Sequence, residues 1–151
     1  MRRRLWRLVR DKSGTNLVEA ALVTPLLLLL TFSLVEFATV FFVYLALENG
    51  VTQATRAGVT GSQAAGRAES LMGAMRDATP VLTIPDGAFT FSHLPPGASA
   101  WVGGPGGPGD IEKMTVDYDW RLLTPVLRPL FPQGEVHIRV ESSRKNEWKF
   151  E

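Results

Sequence analysis

The chain has 151 residues, of which 45% are hydrophobic and 21% charged, with a formal net charge of +1 and no cysteine. The lack of cysteine excludes a disulfide framework and a thiolate metal site. Apart from a long apolar stretch near the N-terminus, about 70 to 100 residues remain, enough for one small domain with a modest core. A large enzyme domain is therefore excluded.

The first fourteen residues form a basic leader. They carry a net charge of +5, because a single Asp11 opposes six cations, which are Arg2, Arg3, Arg4, Arg7, Arg10 and Lys12. Basic residues just before an apolar span favour a cytoplasmic N-terminus, so the C-terminal part is expected across the membrane. A nucleic-acid site is the weaker interpretation, because the cluster directly precedes an apolar segment. The leader lacks the apolar region of an ordinary signal peptide.

A long apolar segment follows the leader. Between residues 17 and 47 the only charges are Glu19 and Glu36. As a helix this segment would extend about 46 Å, against about 30 Å for the hydrocarbon layer of a membrane. We therefore predict a membrane span at about residues 17–36 and an apolar extension beyond it. Glu36 and Phe37, at the junction, are candidate interface residues.

Local signals predict the ends and the shape of this helix. Asn16 and Glu19 have the spacing of an N-terminal capping box. Pro25 removes a backbone donor inside the span and predicts a kink. Glycines after residue 48 weaken the helix, so we predict a break at residues 60–62. Ser62 is a candidate N-cap of a second short helix that ends before Pro80.

The remaining sequence indicates a small antiparallel sheet. A period of two residues predicts strands at 81–84, 88–91, 113–122 and 135–141, the last two paired antiparallel. Residues 94–110 are rich in glycine and proline and lack the ending of a phosphate-binding loop, so an exposed connection is expected. We predict an α+β fold with a leader at 1–14, a long helix at 15–61 and an extracytoplasmic domain at 62–151.

Candidate catalytic and metal-binding residues are few. His93 and His137 have no serine or carboxylate partner at a recognisable spacing, so solvated histidines are expected. Asp117 and Asp119 share one strand face and could bind a cation with a glutamate of the next strand. Two strand carboxylates without a ligand loop nevertheless favour a solvated face. We predict no catalytic site, no metal site and no cofactor.

The most informative pattern joins the basic leader, Gly14, Glu19 and the apolar segment. A capping box accounts for Glu19, but not for a leader joined through glycine to an over-long apolar helix, nor for a carboxylate where lipid begins. At these residues the sequence resembles the TadE-like family, pilin-like proteins of tight-adherence (Flp/Tad) pilus systems. The segment VEAALVTPLLLLL is similar to the family's VEFALVLPLLLLL, with Ala20 in place of the aromatic residue. Glu36 and Phe37 fit the following E-F pair, and TRAGVTG resembles an ARAG-type segment.

The resemblance implies a processing site and a role in assembly. A prepilin peptidase would cut between Gly14 and Thr15, which places Glu19 fifth in the mature chain. The new amine of Thr15 would then pair with Glu19 of the same or a neighbouring subunit and set the register between helices. The implied protein is a non-enzymatic, single-pass pseudopilin of the bacterial cytoplasmic membrane that helps to assemble or prime a pilus. Its implied partners are the peptidase, other pilins, the Tad assembly platform and membrane lipid, with no nucleic acid.

Two other functions remain open at this point. One is an uncleaved single-span anchor whose outer domain binds a partner. The other is a small membrane-tethered hydrolase that uses His93 or His137.

Overall fold

The structure, a computed structural model, describes residues 12–60 and 66–147. These residues form two α-helices, α1 (Lys12–Thr60) and α2 (Arg67–Ala78). They also form four strands, which are β1 (Phe89–Leu94), β2 (Val102–Gly103), β3 (Ile111–Arg121) and β4 (Glu135–Lys145). The predicted α+β class, with a long N-terminal helix, a short second helix and a small antiparallel sheet, is confirmed.

The chain divides into two compact units, Met1–Ala38 and Thr39–Glu151, and α1 contributes residues to both. In the first unit the large apolar side chains of α1 are exposed, and Leu17, Leu22 and Leu26 reach 70% or more. Such a surface is costly in water and is typical of a helix that contacts lipid or another apolar surface.

Two hydroxyl groups within this apolar surface are bonded inside the helix. Thr31 Oγ1 donates to the carbonyl of Leu27, and Ser33 Oγ donates to that of Leu29, both at 2.8 Å. This arrangement suits an apolar medium, where polar groups need internal partners. Within the described residues, α1 is long and apolar enough to cross a membrane, by length and composition.

Helix α1 begins earlier than the sequence signals predict. It starts at Lys12, so Asn16 lies inside the helix and does not cap it, and the predicted capping box with Glu19 is wrong. The glycine at position 14 costs only about 1 kcal/mol in a helix, which is too little to end one. The helix also continues through Pro25, and the kink there stays a prediction. The basic residues up to Asp11 lie outside the described residues.

Helix α2 begins at Arg67. Its N-cap is Gly66, which adopts φ 80°, so the prediction that Ser62 caps this helix is wrong. Ser62 itself lies outside the described residues. The helix ends at Ala78, two residues before Pro80, as expected because the residue before a proline disfavours helical backbone.

The core of the second unit lies between the two helices and the sheet. Helix α1 supplies its buried stripe at helical spacing, which consists of Val43, Leu47, Val51 and Ala54. Helix α2 and the two long strands supply the other buried side chains, including Leu71, Met75, Met114, Val116, Ile138 and Val140. Because successive side chains of a strand point to opposite faces, the apolar residues of β3 and β4 lie on one face of the sheet, which packs against the helices.

The sheet has the order β2-β1-β3-β4, and its strands are antiparallel. Strands β3 and β4 pair without interruption from Ile111↔Lys145 to Arg121↔Glu135, so their predicted pairing is confirmed. The strand predicted at 81–84 is wrong: Pro80 and Pro85 flank this segment, and it places buried side chains without joining the ladder. The predicted loop at 94–110 contains the short strand β2.

Candidate functional site

The residues predicted to form the processing site lie together near the start of α1. Gly14, Thr15 and Glu19 are all exposed, and a Cβ added at Gly14 would meet no atom within 4 Å. Thr15 and Glu19 are four residues apart in a helix and therefore lie on one face. Leu22 and Val23, three and four positions after Glu19, are 73% and 53% exposed, so the carboxylate borders an apolar surface.

The two residues predicted as an interface at the end of the span differ sharply in exposure. Glu36 is 4% exposed, whereas the next residue, Phe37, is 71% exposed. The carboxylate is thus buried within the chain, whereas the aromatic ring is largely exposed.

The exposed face of β3 and β4 carries an ionic network that the sequence analysis did not foresee. Arg139 donates from Nε to Asp117 Oδ1 at 2.5 Å and from Nη2 to Oδ2 at 3.1 Å. His137 lies between two carboxylates, with Nδ1 at 2.7 Å from Asp119 Oδ1 and Nε2 at 3.2 Å from Asp117 Oδ1. The expectation that His137 has no carboxylate partner is therefore wrong. The carboxylates contact cationic side chains of β4 rather than its glutamates.

This network lowers the pKa of a carboxylate and raises the pKa of a histidine. Hydrogen bonding from Arg139 is the main cause that lowers the pKa of Asp117 below its ordinary 3.8. Hydrogen bonding to Asp119 is the main cause that raises the pKa of His137 above 6.5. Both shifts favour the charged forms that attract each other.

The second histidine has a backbone partner. His93 Nδ1 lies 3.0 Å from the carbonyl oxygen of Gly104, which holds the loop after β2 against β1. The side-chain hydrogen bonds of His93 and His137 thus involve a carbonyl and two carboxylates rather than a hydroxyl nucleophile. In residues 12–60 and 66–147 no group of three or more metal-ligating side chains could hold an ion.

A buried polar cluster that sequence analysis missed joins four parts of the second unit. Arg67 at the start of α2 donates to Glu112 Oε2 at 2.7 and 3.1 Å, to the carbonyl of Gly58 at 2.8 Å and to Asn146 Oδ1 at 2.8 Å. Arg67 is 8% exposed and Glu112 is 3% exposed. The alternation of β3 places Glu112 on the same face as buried Met114, which is the sequence signal that could have revealed it.

The β3–β4 loop is the other missed feature. Residues 122–134 expose Leu123, Val126, Leu130 and Phe131, although the loop holds three prolines and short 3₁₀ turns. An open cleft of about 440 Å³ lies beside it, lined by Phe131 and by polar residues that include Glu135. The loop is therefore a surface with a definite shape.

Comparison with known proteins identifies the N-terminal part of the chain. Residues 14–56 match the family model described as TadE-like protein. These residues form a TadE-like segment. The predicted resemblance is confirmed there, over Gly14, the exposed apolar helix and the first part of the second unit. No curated protein and no solved structure matches the chain.

The family match is confined to residues 14–56 and describes this segment alone. The exposed apolar helix of the TadE-like segment supports a membrane-anchored protein.

Proposed function

We propose that this chain is a minor pilin, or pseudopilin, that helps to assemble or prime a Flp/Tad-type pilus. The observation that carries the proposal is the TadE-like segment at residues 14–56, which coincides with a helix whose large apolar side chains are exposed in its N-terminal part. A helix of this kind is suited to lateral packing against other subunits in or above a membrane. The N-terminus would be cytoplasmic and the second unit extracytoplasmic.

In this proposal a prepilin peptidase cuts between Gly14 and Thr15. Exposure of both residues on α1 is consistent with access by a protease. Cleavage removes the basic leader and creates an amine at Thr15, one helical turn from the Glu19 carboxylate. An opposite charge beside Glu19 offsets the cost of a carboxylate at the lipid boundary and so fixes the register between neighbouring helices.

The test compares two glycine substitutions during co-expression with the cognate peptidase. Gly14→Asp is expected to prevent the loss of residues 1–14, as read by intact mass and N-terminal sequencing. Gly73→Asp is the matched control, because a Cβ at either glycine would meet no atom within 4 Å. The control should be shortened as efficiently as the wild type. Equal shortening of the Gly14 variant would refute this cleavage site.

One observation favours a second candidate, an uncleaved anchor with an outer interaction domain. Helix α1 begins at Lys12, so the Gly14–Thr15 bond lies within helix and must unwind locally before a protease can bind it in an extended form. Intact mass of the protein purified from its native membrane separates the two candidates. An initiator methionine followed by the arginines would establish the anchor and exclude processing.

The register role of Glu19 has its own test. Glu19→Ala is expected to leave membrane insertion intact and to reduce co-purification with other pilus components. Glu69→Ala is the control, because Glu69 is an exposed carboxylate in the first turn of α2. Unchanged co-purification of the Glu19 variant would refute the register role.

A further inference from the structure

The loop between β3 and β4, residues 122–134, has an apolar surface that the proposed assembly role does not use. Leu123, Val126, Leu130 and Phe131 are 56%, 61%, 71% and 41% exposed. Single exposed apolar side chains are ordinary, but four large ones in one short loop mark a contact surface.

Arg128 is the only charged residue in the sequence of 122–134, and Arg121 precedes the loop, opposite Glu135 in the sheet. Between residues 120 and 134 there is no aspartate or glutamate, whereas Arg121 and Arg128 are present. Apolar side chains combined with arginine suit the boundary between acyl chains and phosphate headgroups.

The loop is held in shape by its own hydrogen bonds. The N–H of Leu122 donates to the carbonyl of Gly134 at 3.1 Å, and that of Leu130 donates to Leu127 at 3.0 Å. Arg128 Nε donates to the carbonyl of Leu122 at 2.9 Å. Leu122 and Leu127 are buried at 1% and 5% exposure and anchor the loop to the domain. Backbone groups bonded in this way can approach lipid at lower cost than open loop backbone.

Two contacts within the second unit show at which end of that unit the loop lies. The carbonyl of Gly58 and the carboxylate of Glu112 accept hydrogen bonds from the same guanidinium. Thr55 Oγ1 lies 3.0 Å from Ser142 Oγ, and Ser142 is paired with Met114. A step toward the N-terminus of α1 is therefore a step toward the C-terminus of β3. The helix and this strand run in opposite directions.

The length of β3 then shows which residues of α1 lie at the same height as the loop. From Met114 to Leu122 a strand extends about 26 Å at about 3.3 Å per residue. Along an aligned helix the same distance corresponds to about 18 residues, counted back from Thr55. The loop therefore lies at the Thr39 end of the second unit, where the chain enters from the apolar segment.

We propose that the 122–134 loop inserts Val126 and Leu130 into the membrane surface beside the point where α1 leaves the lipid. Arg121 and Arg128 would then lie at the level of the phosphate headgroups. This inference rests on the proposed membrane span at about residues 17–36, and it is independent of peptidase processing and of pilus assembly. A loop embedded in this way would fix the orientation of the domain above the membrane.

The experiment uses single cysteines, because the natural chain has none. Val126→Cys and Leu130→Cys are introduced separately into the full-length protein, labelled with a nitroxide and reconstituted in lipid nanodiscs. Val102→Cys is the matched control, since Val102 is 48% exposed and its partner, His93, pairs with Glu112 at the other end of β3. Leu28→Cys reports on the span itself. Collision rates with oxygen, which enters lipid, and with a water-soluble nickel chelate are measured for each label.

Insertion predicts an oxygen-to-nickel collision ratio at positions 126 and 130 at least about threefold above that at position 102, as for groups at the acyl boundary. If the label at position 28 is in lipid while those at 126 and 130 match position 102, the loop proposal is refuted and the anchor stands. Shielding of both loop labels from both reagents would show that protein covers the loop, and it would also overturn the proposal. An aqueous label at position 28 would refute the span and the loop proposal together.

Discussion

Replacement of Arg67 by methionine tests the buried cluster of the second unit. The guanidinium donates to the carboxylate of Glu112, the carbonyl of Gly58 and the side-chain oxygen of Asn146. Its removal leaves a carboxylate that is 3% exposed without its cation and two further acceptors without this donor. The other carboxylate oxygen, Oε1, already has no hydrogen-bond partner in the described part of the chain. The cluster is therefore strongly dependent on the arginine.

The expected loss is large for a domain of this size. Removal of one partner of a buried ion pair costs about 3 to 5 kcal/mol, because the other charge stays buried. Small domains are stable by about 5 to 15 kcal/mol, so Arg67→Met should lose a major share of the free energy of unfolding. Arg67→Lys should fall between the wild type and the methionine variant, because lysine keeps the charge but lacks the planar fork that reaches three acceptors.

The assay is urea unfolding of the detergent-solubilised protein, followed by tryptophan fluorescence. The double variant Arg67→Met with Glu112→Leu should recover most of the loss, because it removes both buried charges. Arg56→Met is the control, since Arg56 is an exposed arginine of α1, and a change of no more than about 0.5 kcal/mol is expected. If the losses in free energy of unfolding of Arg67→Met and of Glu112→Leu simply add in the double variant, the buried pair is not coupled and the reasoning is wrong.

Three further predictions concern the same unit. Gly50→Ala should lower the free energy of unfolding in urea by about 1 to 3 kcal/mol, because the new Cβ would lie 2.6 Å from Thr79 Cγ2. Gly73→Ala should raise it by about 1 kcal/mol, because alanine favours the helix and its Cβ would meet no atom within 4 Å. His137→Gln should flatten the pH dependence of the unfolding midpoint: the raised pKa of His137 gives stability that is fully present below pH 6.5 and lost as the pH rises through the folded-state pKa. A wild-type profile that matches the variant would contradict this. Gln133→Gly should raise the midpoint, because Gln133 has φ 55°, a strained backbone for a side-chain residue, and a lower midpoint would show that its side chain matters more.

The long strands were predictable because their side chains alternate. In β4 the apolar residues Val136, Ile138 and Val140 alternate with polar and charged ones. When one face of a sheet is buried, only one orientation of such a strand places all of its apolar side chains in the core. Residues 81–84 show a similar short alternation, but they lie between two prolines and do not form a strand. Their buried side chains fill the core although their backbone is not hydrogen-bonded to a neighbouring strand. Alternation over four residues is too short to separate these cases.

The polar interactions were harder to predict because they join distant residues. Arg67 and Glu112 are 45 positions apart, and their pairing depends on where Gly58 brings the helix close to the sheet. The pairing of His137 with Asp119 required the register of β3 and β4, which places these residues directly opposite each other. Sequence periodicity gives the face of each side chain, whereas register and helix position decide its partner.

The two carboxylates of the apolar helix differ in burial, which the sequence alone does not show. Glu36 is 4% exposed, whereas Glu19 is exposed and borders the apolar side chains of Leu22 and Val23. An exposed carboxylate at a lipid boundary is costly, so the proposed pairing with a charge on another subunit or on a processed N-terminus favours Glu19 over Glu36.

This difference gives opposite expectations for two identical substitutions. Glu36→Gln should lower the thermal unfolding midpoint of the isolated protein in detergent, because Glu36 is 4% exposed and its side chain interacts within the chain. Glu19→Gln should leave that midpoint unchanged and reduce co-purification with other pilins. If both substitutions act only on the isolated protein, or both act only on association, burial does not distinguish the two carboxylates and the register role of Glu19 loses its physical basis.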